Sequence, residues 1–491
     1  MKYLPLLLFP LAVWSTAYTI ELEPGNRQLI KASELEHEPI PEKELEPAPV
    51  PEPESEPEPE GLLSGVDNFE FAGEVTFKRY WLNGKQGSWS NGGNKATFRY
   101  SMGAIAFRDD RGYPTMFAIG HDWHEYIGEF RLPTNLDPDV PVEMGEPVQP
   151  GFVEWPGKPG GDVKYHGLLY RDGKLAINGL IRYDASHSGL RMLTVLTNPD
   201  DLANSPALSN IDTPGPKSTG QVWISPIPPE HQERLKGDVM FGGSNIHSIV
   251  SRHSLGPSAI AARWEDIIKG DAPPYTVHQN YLYPNLIGLP KEPGIGEING
   301  RFVSYIERKT AEAEGREPVA RINRGYRMMF GGTHPTPGSW QEEVLGPWPW
   351  PGVDPLVTQR STMPYCLVVP GTFTYACFGS SFAKVQGVGY KNEAKEGIYP
   401  TRHPNSNGYS QWIGSDDGHR SIELFLFDIR KWGTKEPHEY MPYYTGYIDV
   451  PEQYRERRIG GGTFDAKNKI IYLGTWGKNS TILALKITQK E

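Results

Sequence analysis

Cysteine is scarce in this chain of 491 residues: Cys366 and Cys377 are its only two, so at most one disulfide can form within it. Long apolar runs are scarce too. After the first turn of the chain, nothing approaches the roughly 18 apolar residues that a membrane span requires, so no span is expected. Basic charge is in deficit, with 49 Lys and Arg against 60 Asp and Glu, and the absence of a basic stripe argues against a nucleic-acid partner. Extended helical periodicity is rare. No phosphate-binding, dinucleotide or nucleophile-elbow pattern occurs in a strand–helix setting, and the glycines of "GIGEING" (Gly294 to Gly300) read as a loop, so no organic cofactor is expected.

What is present begins with a leader pattern. Lys2, the apolar stretch from Leu4 to Trp14 and then Ser15-Thr16-Ala17 fit a secretory signal over residues 1–17. With no cysteine following the cleavage point, a lipid anchor is not expected, and the product should be secreted or periplasmic. Residues 18–61 form a linker. Between Glu38 and Glu60 lie 8 prolines, 9 glutamates and one lysine in 23 residues, a composition that keeps a chain extended and that carries nearly all of the net charge of −11. Residues 62–491 then run without a comparable break. Their 54 glycines and 46 prolines across the whole chain, together with 11% aromatics, predict short strands and many turns.

Several segments share one design, in which an apolar strand, a turn of Asp, Asn or Gly and a second apolar strand lead into Gly and a polar residue. "AIAFRDDRGYPTMFAIGH", "GLLYRDGKLAINGL", "CLVVPGTFTYACFGSS" and "GGTFDAKNKIIYLGTW" all read as antiparallel hairpins. The glycine recurs at Gly120, Gly379 and Gly474, with "FGGTH" at Gly331 and Gly332. That spacing is near the length of a propeller blade, and the expected fold is an all-β, seven-bladed β-propeller, with paired β-sandwiches as the alternative. Ala259 to Lys269 and Tyr305 to Arg316 read as helices inserted in that plan.

Opposed numbering across the Gly371-Thr372 turn sets Cys366 against Cys377. Such a pair fits a disulfide. It equally fits half of a tetrahedral zinc site, for which His334 and His403 are the available partners.

Candidate chemistry gathers in three stretches. "GHDWHEYIGEF" sets His121, Trp123 and Glu125 on one strand face and Asp122 and His124 on the other, an arrangement suited to sugar contact. "NIHSIVSRHSLGPS" carries His247, Arg252 and His253; the guanidinium offers a two-pronged site for a carboxylate. "VKYHGLLYRDGKLAINGLIRYDASHSG" carries His166 and His187, and pairing across its Asp-Gly turn sets His166 opposite Gly179, leaving space above the ring. With Tyr165 and Tyr183, these residues make the set that β-elimination on a uronate polymer requires: Arg neutralises the carboxylate, one group takes the C5 proton, and another protonates the departing O4.

On the "GLLYRDGKL" hairpin with His166 and His187 near it, and the arginine ahead of "GPS", the chain resembles the secreted bacterial β-propeller polysaccharide lyases of the ulvan lyase type. The resemblance implies a lyase acting on an acidic polysaccharide, with His166, His187 and Arg252 catalytic and a structural metal, zinc or calcium; beside it, Tyr183, His247, His253, His121 and Trp123 are expected against substrate, and the protein is expected to be a monomer. The family's tyrosine has no counterpart, since no tyrosine lies between Tyr183 and Arg252. Two other classes stay open. A glycoside hydrolase would draw its two carboxylates from Asp122, Glu125, Asp184, Asp416 and Asp417, and a glycan- or protein-binding propeller would use Trp348, Trp350 and Trp412.

Overall fold

The computed structural model describes residues 61–77, 97–159, 163–181, 191–214, 220–243, 257–269, 279–282, 315, 362–380, 392–393, 409–410, 422–434, 440, 442–454, 458–477 and 480–488. All lie in the unit running from Glu56 to Glu491.

A first strand, β1 (Phe69–Thr76), precedes blade one, which is β2 (Ile105–Arg108), β3 (Thr115–Ile119) and β4 (Ile127–Arg131), with the short β5 (Val142–Glu143) after it. Blade two is β6 (Val163–Arg171), β7 (Lys174–Ile181), β8 (Leu193–Leu196) and β9 (Ala207–Ile211). Blade three is β10 (Trp223–Pro226), β11 (Val239–Gly242), β12 (Ala259–Ala262) and β13 (Gln279–Leu282), with helices α1 (Pro229–Leu235) and α2 (Trp264–Lys269) in its connections. Blade four is β14 (Thr362–Val368), β15 (Thr374–Ser380), β18 (Glu423–Asp428) and β19 (Tyr444–Tyr447), and a ribbon of β16 (Asn392–Glu393) and β17 (Tyr409–Ser410) falls within it in sequence. Blade five is β20 (Arg458–Asp465), β21 (Ile470–Trp476) and β22 (Ile482–Ile487).

Blade five is completed from the other side of the chain. β1 pairs antiparallel with β22, from Phe69 opposite Ile487 to Val75 opposite Ile482, and β5 adds a parallel edge to β1. The inner strands pack in a closed cycle, β2 on β6, β6 on β10, β10 on β14, β14 on β20, and β20 back on β2. This cycle makes the fold a β-propeller, and pairing both ends of it into one sheet removes the open edge that the last blade would otherwise present.

Alternation along each strand supplies the core between sheets. In β3, Met116 and Ala118 join the cluster shared with blade five, while Phe117 and Ile119 join the one shared with blade two. All four are fully buried, as expected of strands covered on both faces. The apolar hairpins of the sequence form as expected. Asp172 and Gly173, at φ +50° and +68°, supply the left-handed turn that joins β6 to β7. Cys366 pairs with Cys377.

Three expectations are corrected. The seven expected blades are five among the described residues. Inner strands begin at Ile105, Val163, Trp223, Thr362 and Arg458, so the first intervals match one blade, whereas the intervals in sequence from Leu282 to Thr362 and from Ser380 to Glu423 are long enough for a period count to fill with further blades. The helix expected over Ala259 to Lys269 is strand β12 followed by α2: Ala259, Ile260, Ala261 and Ala262 are apolar on both faces and fully covered by neighbouring sheets. His166 is not opposite Gly179. A register shift places Tyr165 there and leaves His166 as the extra residue of a β-bulge. The second expected helix, Tyr305 to Arg316, lies outside the described residues except for Gly315. No helix among the described residues is long and apolar enough to cross a membrane.

At the axis the backbones touch. A Cβ on Gly461 would stand 2.6 Å from both the Gly103 and His166 carbonyl oxygens, and one on Gly167 would stand 2.7 Å from that of Val222. Gly460 and Gly474 are pressed in the same way against Met102 and Gly103. Gly461→Ala should therefore cost about 3 kcal/mol, the upper end for overpacking. Gly112→Ala, at an open turn with φ +78°, should cost about 1 kcal/mol from backbone strain alone. Denaturant unfolding of the two variants checks the difference.

Candidate functional site

The inner strands of blades one, two, three and five begin at one end of the propeller, since Met102 and Gly103 ahead of β2, His166 and Gly167 in the first half of β6, Val222 ahead of β10 and Gly460 and Gly461 in the first half of β20 lie against one another. The connection from β3 to β4 lies at that end, beside the start of β6. The sequence reading continues the strand through His121 to Glu125; instead β3 stops at Ile119 and the chain turns. His121 makes a single bridge to Ser101, and the amides of His124 and Glu125 donate to the His121 carbonyl at 3.0 and 2.8 Å. Glu125 closes the turn in the left-handed region at φ +52°, which a side chain other than glycine rarely adopts and which is a mark of functional sites.

The turn divides its residues between solvent and interior. Trp123 is 75% exposed, whereas Glu125 is 2% exposed. Around the tryptophan lie the rings of His121 at 5.7 Å and, beyond it, Tyr100 and His124 at 5.3 and 6.1 Å from the His121 ring. The Trp123 amide donates to His121 Nδ1 at 3.2 Å, and Asp122 Oδ1 lies 3.1 Å from the same nitrogen. This shelf of rings is open to solvent on the tryptophan's side.

Beneath it sits a buried polar cluster to which the start of β6 and the segment before it contribute. Lys164 Nζ stands 3.5 Å from Glu125 Oε1 and also donates to the Asp122 carbonyl. Lys158 Nζ donates to the His124 carbonyl at 2.7 Å, and Trp155 Nε1 donates to the Glu125 carbonyl at 2.9 Å. Tyr165 packs edge-on to Trp155 with ring centres 5.3 Å apart. Neither carboxylate oxygen of Glu125 nor the Tyr165 hydroxyl has a hydrogen-bond partner among the described residues. Burial pushes the Glu125 carboxyl up to about 8, against the pull of the two lysines, and pushes the Lys158 ammonium down. The Tyr165 phenol is raised by burial as well.

At the far end of the same two blades a second buried glutamate is fully bonded. Glu129, 0% exposed, takes two hydrogen bonds from Arg111 at 2.9 and 3.0 Å, one from Thr115 at 2.8 Å and one from Gln149 at 3.1 Å. Arg108 lies over Tyr170 at 4.5 Å and binds Asp200 at 2.7 Å, so this network ties blade one to blade two.

Of the other sequence candidates, His166 is 0% exposed and its Nδ1 is bonded to the Gly460 carbonyl at 2.9 Å. That places its ring at the axis, buried against blade five. His187, Tyr183, Arg252, His247, His253, His334 and His403 lie outside the described residues, as do Asp184, Asp416, Asp417, Trp348, Trp350 and Trp412. Ile181 and Gly242, from which the stretches bearing His187 and Arg252 continue, lie at the same end as His121, because β7 and β11 run antiparallel to inner strands that start there. Cys366 and Cys377 are buried free thiols, and burial holds Cys377 well above the ordinary thiol range. Two sulfurs supply half of a zinc set. Among the described residues no group of three or more His, Cys, Asp or Glu is placed to hold a metal.

Sequence reasoning missed Lys158, Lys164 and Trp155. The signal was a lysine inside the otherwise apolar start of "VKYHGLLY", since a strand covered on both faces keeps a charged residue only where it has a partner.

No family model matches this chain, and no curated protein does. Among solved structures, it is similar to the subtype N11 neuraminidase-like protein of A/flat-faced bat/Peru/033/2010 (H18N11), at 9% identity and a TM-score of 0.30, covering 89% of this chain and 98% of that one. A likeness of that degree carries no argument about this chain.

A pH profile tests the Glu125 environment. Its folded carboxyl titrates near 8 against an ordinary value of 4.5, so the folded state holds the proton more tightly. The stability from neutral Glu125 is complete below pH 4.5 and is lost as pH rises through 8. Glu125→Gln should match the parent at about pH 4 and melt higher than it at about pH 9. Thermal melts across that range check this, and parallel profiles for the two proteins would contradict it.

Proposed function

We propose that this protein is an exported polysaccharide lyase that engages a uronic-acid-containing polymer at the end of blades one and two and cleaves it by β-elimination. The observation that carries the reading is the solvent-exposed Trp123, with the buried His121 ring and the partly exposed Tyr100 ring beside it, standing over a buried cluster with two ammonium groups. An exposed indole offers a flat apolar face to the C–H side of a sugar ring, and the cations suit a polymer of negative charge.

His121 is the described imidazole best placed to move a proton: in the neutral ring Nδ1 accepts from the Trp123 amide and Nε2 carries the hydrogen, so Nε2 is the atom that can hand a proton to the departing O4. It replaces the buried His166 in this reading. His187 and Arg252 keep the roles of second acid–base group and carboxylate clamp, on stretches that continue from the same end of the propeller.

Glycoside hydrolysis is the second reading, favoured by one observation: Glu125 keeps its proton at neutral pH, as a general acid must. Incubation with uronate-rich polysaccharides separates the two. A lyase yields an unsaturated uronate that absorbs in the ultraviolet, and His121→Ala should abolish that signal while the protein still melts cooperatively. Saturated reducing ends would point to hydrolysis instead. Binding without either product, lost in Trp123→Ala, would assign the shelf to a non-catalytic glycan-binding propeller.

A further inference from the structure

The hollow under the Trp123 turn does not satisfy its own polar groups. Both Glu125 oxygens and the Tyr165 hydroxyl are buried without hydrogen bonds among the described residues, although buried polar atoms are almost always bonded. The two ammonium groups beside them are engaged with the backbone of the turn itself, Lys158 with the His124 carbonyl and Lys164 with that of Asp122. Lys158 Nζ also lies 5.9 Å from the centre of the Tyr165 ring and Lys164 Nζ lies 3.5 Å from Glu125 Oε1, so the lysines, the phenol and the carboxyl gather in one small region.

We propose that this space is a subsite for the carboxylate of a uronic acid, and that the turn from His121 to Glu125 opens to admit it. A carboxylate offers acceptors to the two ammonium groups and to the phenol O–H, and it accepts the O–H of a protonated Glu125. As a charged acceptor it outcompetes the neutral carbonyls that hold the lysines in its absence. The turn is suited to release, since Glu125 is strained at φ +52° and Trp123 at its tip is 75% exposed. A metal cation is disfavoured because two ammonium groups already occupy the lining. Burial supplies the neutral Glu125 that the subsite uses at neutral pH.

This inference rests on the acidic-glycan reading of the site, and its test separates the two. Calorimetric titration of the full chain with glucuronic acid should show binding that glucose at equal concentration does not, and Lys158→Met should weaken it by about tenfold or more. Affinity in the parent should fall as pH passes about 8, where Glu125 ionises, while Glu125→Gln, which keeps a donor, should bind without that dependence. Near-ultraviolet dichroism verifies the fold of the variants, and Lys158→Arg, which retains the charge, should keep binding if the Met variant fails to fold. Equal binding of glucose and glucuronic acid, or parent-like binding by folded Lys158→Met, overturns the subsite and leaves the space to ordered water. If a uronate polymer still binds through Trp123 while glucuronic acid does not, the subsite fails and the broader reading stands. If neither binds, both fail.

Discussion

The inner strands of blades one, two, three and five meet backbone to backbone at the axis of this propeller. Gly103, Gly167, Gly460, Gly461 and Gly474 supply that contact, since a Cβ at any of them would strike the backbone of a neighbouring strand. The same contact shapes the site. With the His166 carbonyl held against Gly461 and Gly167 against Val222, β6 accommodates one extra residue, and the bulge reverses the side on which its earlier residues point. Val163 and Tyr165 before the bulge share a cluster with Leu168 after it, which unbroken alternation forbids. The bulge therefore aims Tyr165 at blade one and at the hollow beneath Glu125. Axis packing, bulge and site form one chain of cause.

Much of this architecture was legible in the sequence because hairpins are local. Apolar alternation around Asp172-Gly173 and around Gly371-Thr372 fixes β6–β7 and β14–β15, and the pairing of Cys366 with Cys377 follows from turn numbering. What was not legible depends on contacts distant in sequence. The bulge at His166 arises from Gly461, almost three hundred residues away, and no local pattern announces it. The end of β3 at Ile119 is decided by the bridge from Ser101 to His121, where the sequence offers only more residues able to form strand. Blade number failed because the long stretches of sequence after β13 and β15 have ordinary turn-rich composition, so counting residues counts them as blades. His121 and Trp123 could be picked out because an aromatic among imidazoles is unusual anywhere. Lys164 was passed over because one lysine in a strand looks like a solvated edge until burial is known.

The two buried glutamates of blade one give the strongest internal argument that the Glu125 end is where chemistry or binding belongs. Glu129 and Glu125 stand on the same short hairpin region and face the same cost of removing a carboxyl from water. At Glu129 that cost is offset by a two-pronged arginine, a hydroxyl and an amide, and the result is a joint between blades. At Glu125 a lysine stands 3.5 Å away, the lysine donors go instead to carbonyls of the turn, and the carboxyl keeps its proton by default. A site serving stability alone would gain from the first arrangement, and an arginine in place of Lys164 would be a simple route to it. The strained turn adds a further cost in the same place. A retained proton, a strained backbone and an exposed indole falling together on five consecutive residues are the combination expected where a fold gives up stability to leave room for a guest.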